Sequence, residues 1–196
     1  MNERNVKIVE TAVRLFAQYS VAKTSMAEIA AEAGVARQTV YNSFENKEDL
    51  IFAALLHYAG STKNNIEQDC KGFTELGPRL DVLFKHMAVV PFEAMQKFPH
   101  LDEIMIIADN LSEERKAMIK NTYKDAIRHV LLPFESRIRN FKIEPESLYD
   151  LMKAMLTQIK REAKDEENLR QLFEPIRLLL INLLNNSIQN ESFHEN

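Results

Sequence analysis

Tryptophan is absent from the 196 residues, glycine occurs four times and cysteine once. A sheet-rich fold needs turn glycines and alternating β-branched residues. The scarcity of glycine, beside much Leu, Ala, Glu, Lys and Met, therefore predicts an all-α chain. Cys70, standing alone, cannot build a disulfide framework or a cysteine-based zinc site within one chain. His57, His86, His100, His129 and His194 show neither an HExxH nor another short ligand spacing. There is no GxSxG, P-loop or GxGxxG, and Cys70 has no adjacent base. An enzyme reading lacks its chemistry, and no metal or cofactor is expected.

Long apolar runs are missing too. The longest, "LLLINLL" at 178–184, falls far short of the roughly 20 residues a spanning helix needs. The start, "MNERNVKIVE", has no apolar core of a secretory signal. A cytoplasmic protein with no membrane partner is the expectation. Positive charge is also scarce: the net charge is −4, and the first 50 residues hold six cations against seven anions. That disfavours a nonspecific, field-driven nucleic-acid binder. A DNA reader built this way must rely on a few well-placed donors and on helix termini.

What is present is helical periodicity. Ile8, Ala12, Leu15, Phe16 and Tyr19 recur at steps of three and four, predicting a helix over 3–19. Ser25 and Glu28 form a capping-box pair at the start of a second helix, whose inner face is Met26, Ile29, Ala30 and Ala33. Gly34 permits the sharp turn that follows. A third helix is expected over 37–44, and Asn46 is read as the N-cap of a fourth running from Lys47 to about 65. Beyond it, "CKGFTELGP" at 70–78 reads as a connection. A helix with Pro78 in its first turn then extends to about 98, kinked at Pro91 and ended by Pro99. A further helix starts at Ser112, runs to about 129 and breaks at Pro133. Two more follow, one opening at Pro145 and one over about 168–189. The layout is a three-helix head, residues 1–48, on a larger helical body, residues 49–196.

Helix, tight glycine turn and short helix form the helix-turn-helix pattern. On a wheel of 100° per residue, Val40 and Phe44 point inward with Ala36, while Gln38 and Asn42 face outward between Thr39, Tyr41 and Ser43. Any solvated helix face is polar, so the face alone decides little. Its coincidence with the capping box and the glycine turn points to a helix for the major groove. There Gln or Asn can bond adenine, Arg37 guanine or a phosphate, and Thr39, Tyr41 and Lys47 can meet phosphates.

The stretches "TAVRLFAQYS" (11–20) and "TSMAEIAAEAGVARQTVYNSFENKEDLI" (24–51) resemble the TetR family of bacterial transcriptional regulators. The resemblance implies a homodimer whose two recognition helices bind a palindromic operator in double-stranded DNA. It also implies a body that dimerises and binds a small-molecule effector, with repression as the usual mode. Carried over residue by residue, DNA contact falls to Ser25, Arg37, Gln38, Thr39, Tyr41, Asn42, Ser43 and Lys47. Three positions depart from the family pattern. Ser20 replaces a usual glycine, so the first turn is expected to strain or take another geometry. Ala36 replaces a Ser or Thr cap, at about 1 kcal/mol. Ser43 replaces a frequent histidine.

In the body, two C-terminal helices are apolar over more than one seam and need cover on two sides. Leu148, Leu151, Met155, Leu172, Ile176, Leu179, Leu180 and Leu183 are the candidate dimer residues. Large flexible apolar side chains predict an effector pocket of apolar character lined by Phe84, Met87, Phe92, Met95, Met105, Tyr123, Met152 and Met155. The same Met/Phe pattern also fits an ordinary core. The other reading is therefore an effector-independent dimeric DNA-binding protein, acting in chromosome organisation or as a partner platform.

Overall fold

The computed structural model describes residues 1–185, and every regular element among them is helical. The elements are α1 (Glu3–Tyr19), α2 (Met26–Ala33), α3 (Arg37–Tyr41), α4 (Lys47–Asp69), α5 (Leu76–Phe84) and α6 (Val90–Lys97). They continue with α7 (Leu101–Asp109), α8 (Glu113–Leu131), α9 (Glu135–Asn140), α10 (Pro145–Glu162) and α11 (Glu166–Asn185). The expected extension of the last helix to 189, and His194, lie outside the described residues. No described helix is long and apolar enough to cross a membrane.

Two compact units divide the chain. The first joins Met1–Ser61 to Ala94–Thr122, and the second joins Thr62–Glu93 to the chain from Tyr123 on. Compactness therefore recruits residues 94–122 to the unit that contains the three-helix head, which no cut at residue 48 anticipates.

The core of the first unit gathers Ile8, Ala12 and Phe16 of α1, Met26, Ile29 and Ala33 of α2, then Val40, Phe44, Leu50, Ile51 and Ile104. Tyr19 departs from the α1 stripe. It is 53% exposed, because the helix ends there and the chain turns away. Helix α1 is capped by Asn2, whose side chain accepts from the Asn5 amide at 2.9 Å. Helix α7 was not expected from the pattern. It is nine residues long and has no side-chain N-cap, so no capping residue marks its start in the sequence. Its Ile104 is 5% exposed in the head's core. Arg115, on α8, adds a second tie through Asp49 Oδ1 at 2.6 Å and lies over the Phe52 ring.

In the second unit, α5 and α6 are joined by a π-helical turn, Lys85–Val89, instead of the expected simple kink. The Val90 amide donates to the Lys85 carbonyl, five residues back. Pro91 explains it: with no amide hydrogen and a ring that crowds the preceding turn, it cannot continue an α ladder. Phe84 stacks on Phe173 at 4.2 Å between ring centroids. Arg79 is only 7% exposed, and its guanidinium donates to Val130 O at 2.9 Å, Phe73 O at 3.1 Å and His129 O. The first and third are carbonyls at the C-terminal end of α8, where the helix dipole favours a cation. Lys124 of α8 reaches Glu146 at 2.8 Å and Asp150 at 2.9 Å on α10. The short helix α9 also escaped the sequence pattern. It follows a 3-10 turn at Leu132–Phe134 that Pro133 favours.

Candidate nucleic-acid interface

The expected capping box at α2 is complete. Glu28 N donates to Ser25 Oγ at 3.2 Å, and Ser25 N donates to Glu28 Oε2 at 2.7 Å. The bond from the Ser25 amide, then that from its hydroxyl, holds the Glu28 carboxyl below its ordinary range, with the Lys47 charge assisting. Gly34 closes α2 in the left-handed region at φ 67°, and its amide donates back to Ala30 O and Ala31 O. That conformation suits glycine because a Cβ would strain it.

Helix α3 is shorter than expected, ending at Tyr41 rather than 44. Asn42 nevertheless keeps helical backbone angles, φ −68° and ψ −20°, so the outward face continues through it. Val40 is 0% and Phe44 7% exposed, as the wheel requires. Ala36 is a correction. It is exposed, not inward, because it is the N-cap with extended backbone angles, and the wheel does not reach it. As its chemistry dictates, it makes no side-chain cap bond.

Arg37, Gln38, Tyr41, Asn42 and Ser43 are all exposed, and Thr39 is half-buried. Two pairs organise this face one helical turn apart. Gln38 Nε2 donates to Asn42 Oδ1 at 2.8 Å, and the Arg37 guanidinium lies 5.4 Å from the Tyr41 ring centroid. Ser43 Oγ donates to Asn5 Oδ1 at 3.1 Å, tying the end of α3 to α1. Asn46 caps α4 by accepting from the Asp49 amide at 2.9 Å. Lys47 is placed differently from the rest. Its ammonium donates to Val21 O at 2.6 Å and Ala22 O at 3.3 Å, bracing the turn between α1 and α2. A short helix seated on two buried side chains, with an exposed face of amide and guanidinium groups, is the arrangement that fits a major groove.

The profile described as "Bacterial regulatory proteins, tetR family" matches residues 8–54, the stretch that builds α1, α2, α3 and the start of α4. That stretch belongs to the TetR family. The chain is 34% identical over 128 residues to the uncharacterized HTH-type transcriptional regulator YerO of Bacillus subtilis, covering 63% of this chain and 42% of that protein. The matched stretches span less than half the length of the sequence relatives. Two solved structures share the fold across most of the chain. The fatty acid degradation regulator FadR from Bacillus halodurans covers 94% of this chain and 96% of its own at a TM-score of 0.62 and 19% identity. FadR from Bacillus subtilis, solved with stearoyl-CoA, covers 91% of this chain and 97% of its own at a TM-score of 0.59 and 17% identity.

The candidate pocket residues do not form one group. Phe84, Met87, Phe92 and Met152 lie in the core of the second unit, each no more than 5% exposed, with Tyr123 packed against them. Met155 is half-buried, whereas Met95 and Met105 belong to the first unit and are 46% and 41% exposed. The dimer candidates divide as well. Leu148 and Leu180 are buried within the protomer, while Leu151, Leu172 and Leu179 are 54%, 36% and 70% exposed. Leu178 is 46% exposed beside them. Cys70 is buried in the core of the second unit, and burial pushes its thiol up.

Sequence reasoning missed Glu103. It bonds Ser20 and Val21 in the first turn of the head from 83 and 82 positions away. No local pattern marks such a residue.

Proposed function

We propose that this chain is a DNA-binding transcriptional repressor that reads a palindromic operator as a homodimer and is released by a small, largely apolar effector. The observation that carries the proposal is the outward face of α3, with Gln38 and Asn42 hydrogen-bonded side by side above buried Val40 and Phe44. In this reading Gln38 and Asn42 read base edges. Arg37 reads guanine or a phosphate, and Ser25, Thr39, Tyr41 and Ser43 position the head on the backbone. Lys47 contributes its charge from the turn it braces. Residues 1–48 serve as the reading head and 49–196 as the dimerising, effector-binding body, acting in the cytoplasm.

The homodimer rests on exposed Leu151, Leu172, Leu178 and Leu179 along α10 and α11, a face that leucine does not leave to water without cost. Two heads held by such a face would meet half-sites about 34–36 Å apart. The apolar effector rests on the Phe84, Met87, Phe92 and Met152 cluster beside the π-helical turn, and on the stearoyl-CoA bound by the related FadR. The low exposure of those four side chains equally suits the second reading, an effector-independent dimeric DNA-binding protein.

Selection of genomic fragments by the purified protein tests the proposal, with a Tyr41→Ala, Asn42→Ala double variant in parallel. A recurring palindrome that the variant fails to enrich is the expected result. No enrichment at low salt by folded protein would refute the operator reading.

A further inference from the structure

Ser20 has φ 87° and ψ 145°, a backbone region that side-chain-bearing residues avoid and that is essentially reserved for glycine. It is also 4% exposed, so water does not ease the turn. A residue persists there only when its surroundings over-determine it, and here they do.

Ser20 Oγ donates to Glu103 Oε2 at 2.8 Å, and the Val21 amide donates to the same oxygen at 3.0 Å. The Ala22 amide donates to Ser20 Oγ at 3.1 Å, and Thr24 Oγ1 donates to Ser20 O at 2.9 Å. Lys47 holds the carbonyls of Val21 and Ala22. The other oxygen of Glu103 meets His100 Nδ1 at 3.0 Å, and the His100 amide donates to Ala17 O at 3.4 Å. The turn therefore has its donors taken by a carboxylate from α7 and its carbonyls taken by an ammonium from α4. It runs directly into Ser25, the N-cap of the helix-turn-helix.

We propose that Glu103 is a positioning residue for DNA reading: its carboxylate holds the Ser20 turn in its glycine-only conformation and so sets where α2 and α3 begin. The proposal rests on the DNA-reading function argued above. It makes α7 a working part of the head, because a serine at position 20 needs the Glu103 strap that a glycine would not. A side chain that merely packs α7 against the head would be indifferent to which residue occupies position 20.

The test compares wild type, Glu103→Ala, Glu103→Gln, Ser20→Gly and the Ser20→Gly, Glu103→Ala double variant, all as full chains. Two readouts are taken: amide exchange of residues 20–24, and affinity for the best selected fragment against random duplex. Glu103→Ala is expected to speed exchange of the turn and weaken fragment binding, each by about tenfold, the scale of a lost charge-assisted bond. Glu103→Gln, which keeps an acceptor of the same shape, falls between. Ser20→Gly alone keeps wild-type binding, and in the double variant it restores most of what Glu103→Ala lost. Unchanged exchange in Glu103→Ala overturns the proposal, as does a loss of equal size in the Ser20→Gly background. Wild type with no sequence preference would refute DNA reading instead, and the exchange readout would still decide whether Glu103 holds the turn.

Discussion

Leu179 and Leu180 are neighbours on α11 with opposite surroundings, and replacing each by alanine should expose two different kinds of energy. Leu179 is 70% exposed within the protomer and Leu180 only 7%. Complete burial of a leucine side chain stabilises by about 1.5–3 kcal/mol. Folding of the protomer captures less than a third of that for Leu179, leaving roughly 1–2 kcal/mol for a partner surface. A twofold interface counts each residue twice, giving roughly 2–4 kcal/mol per dimer. Leu179→Ala should therefore raise the dimer dissociation constant by roughly 30- to 800-fold. Protomer folding should change little. Leu180→Ala removes a core side chain instead and should cost about 2–5 kcal/mol of folding stability. Sedimentation equilibrium measures the first quantity and urea unfolding the second, at matched protein concentration because association stabilises a dimer by mass action. Association unchanged by Leu179→Ala would refute the assignment of the α10–α11 face, as would identical behaviour of the two variants.

Ser25→Ala should cost about 1 kcal/mol by removing the α2 cap, read as a lower midpoint in urea. Glu28 has its folded pKa depressed, so its contribution is complete above the ordinary value of 4.5 and is lost as pH falls through the lower folded value. Glu28→Gln should accordingly show a shallower loss of stability between neutral and acid pH, and an unchanged slope would count against the capping box as its cause. Half-buried Lys160 has its pKa pushed down to about 8 by burial, then by nearby Lys153 and Arg161. The unfolded chain therefore binds more protons above that value, and stability should rise from about pH 8 towards the ordinary lysine value of 10.5. Lys160→Met should flatten that rise in urea unfolding across the window. Gln38→Ala and Asn42→Ala should each lose about 1–3 kcal/mol of discrimination at particular bases, and equal losses on random duplex would remove them from base reading.

Short-range physics made much of this protein legible before any fold was known. The span of α1, the Ser25–Glu28 box, the Gly34 turn, the Asn46 cap and the Val40/Phe44 anchor each depend on residues within a few positions of one another. Local pattern was less reliable where a helix was short or uncapped. Helix α9 offered too few turns for a stripe, α7 lacked a side-chain cap, and α3 stopped before Phe44 although its polar face ran on to Asn42. At Pro91 the position of the disturbance could be read but not its form, because a π-helical turn reflects the packing of Met87, Ala88 and Val89 as well as the missing amide.

The sequence by itself determined that the chain is helical and that it carries a helix-turn-helix with a polar outward face. Periodicity, caps and a left-handed glycine are signals carried by residues within a few positions of one another. Tertiary structure alone decided which leucine of an adjacent pair stays outside, which cation is spent on backbone carbonyls, and what holds Ser20. Leu180, Arg79, Lys47 and Glu103 have partners tens of positions away, and the cost of leaving such groups unpaired is set by burial that folding creates.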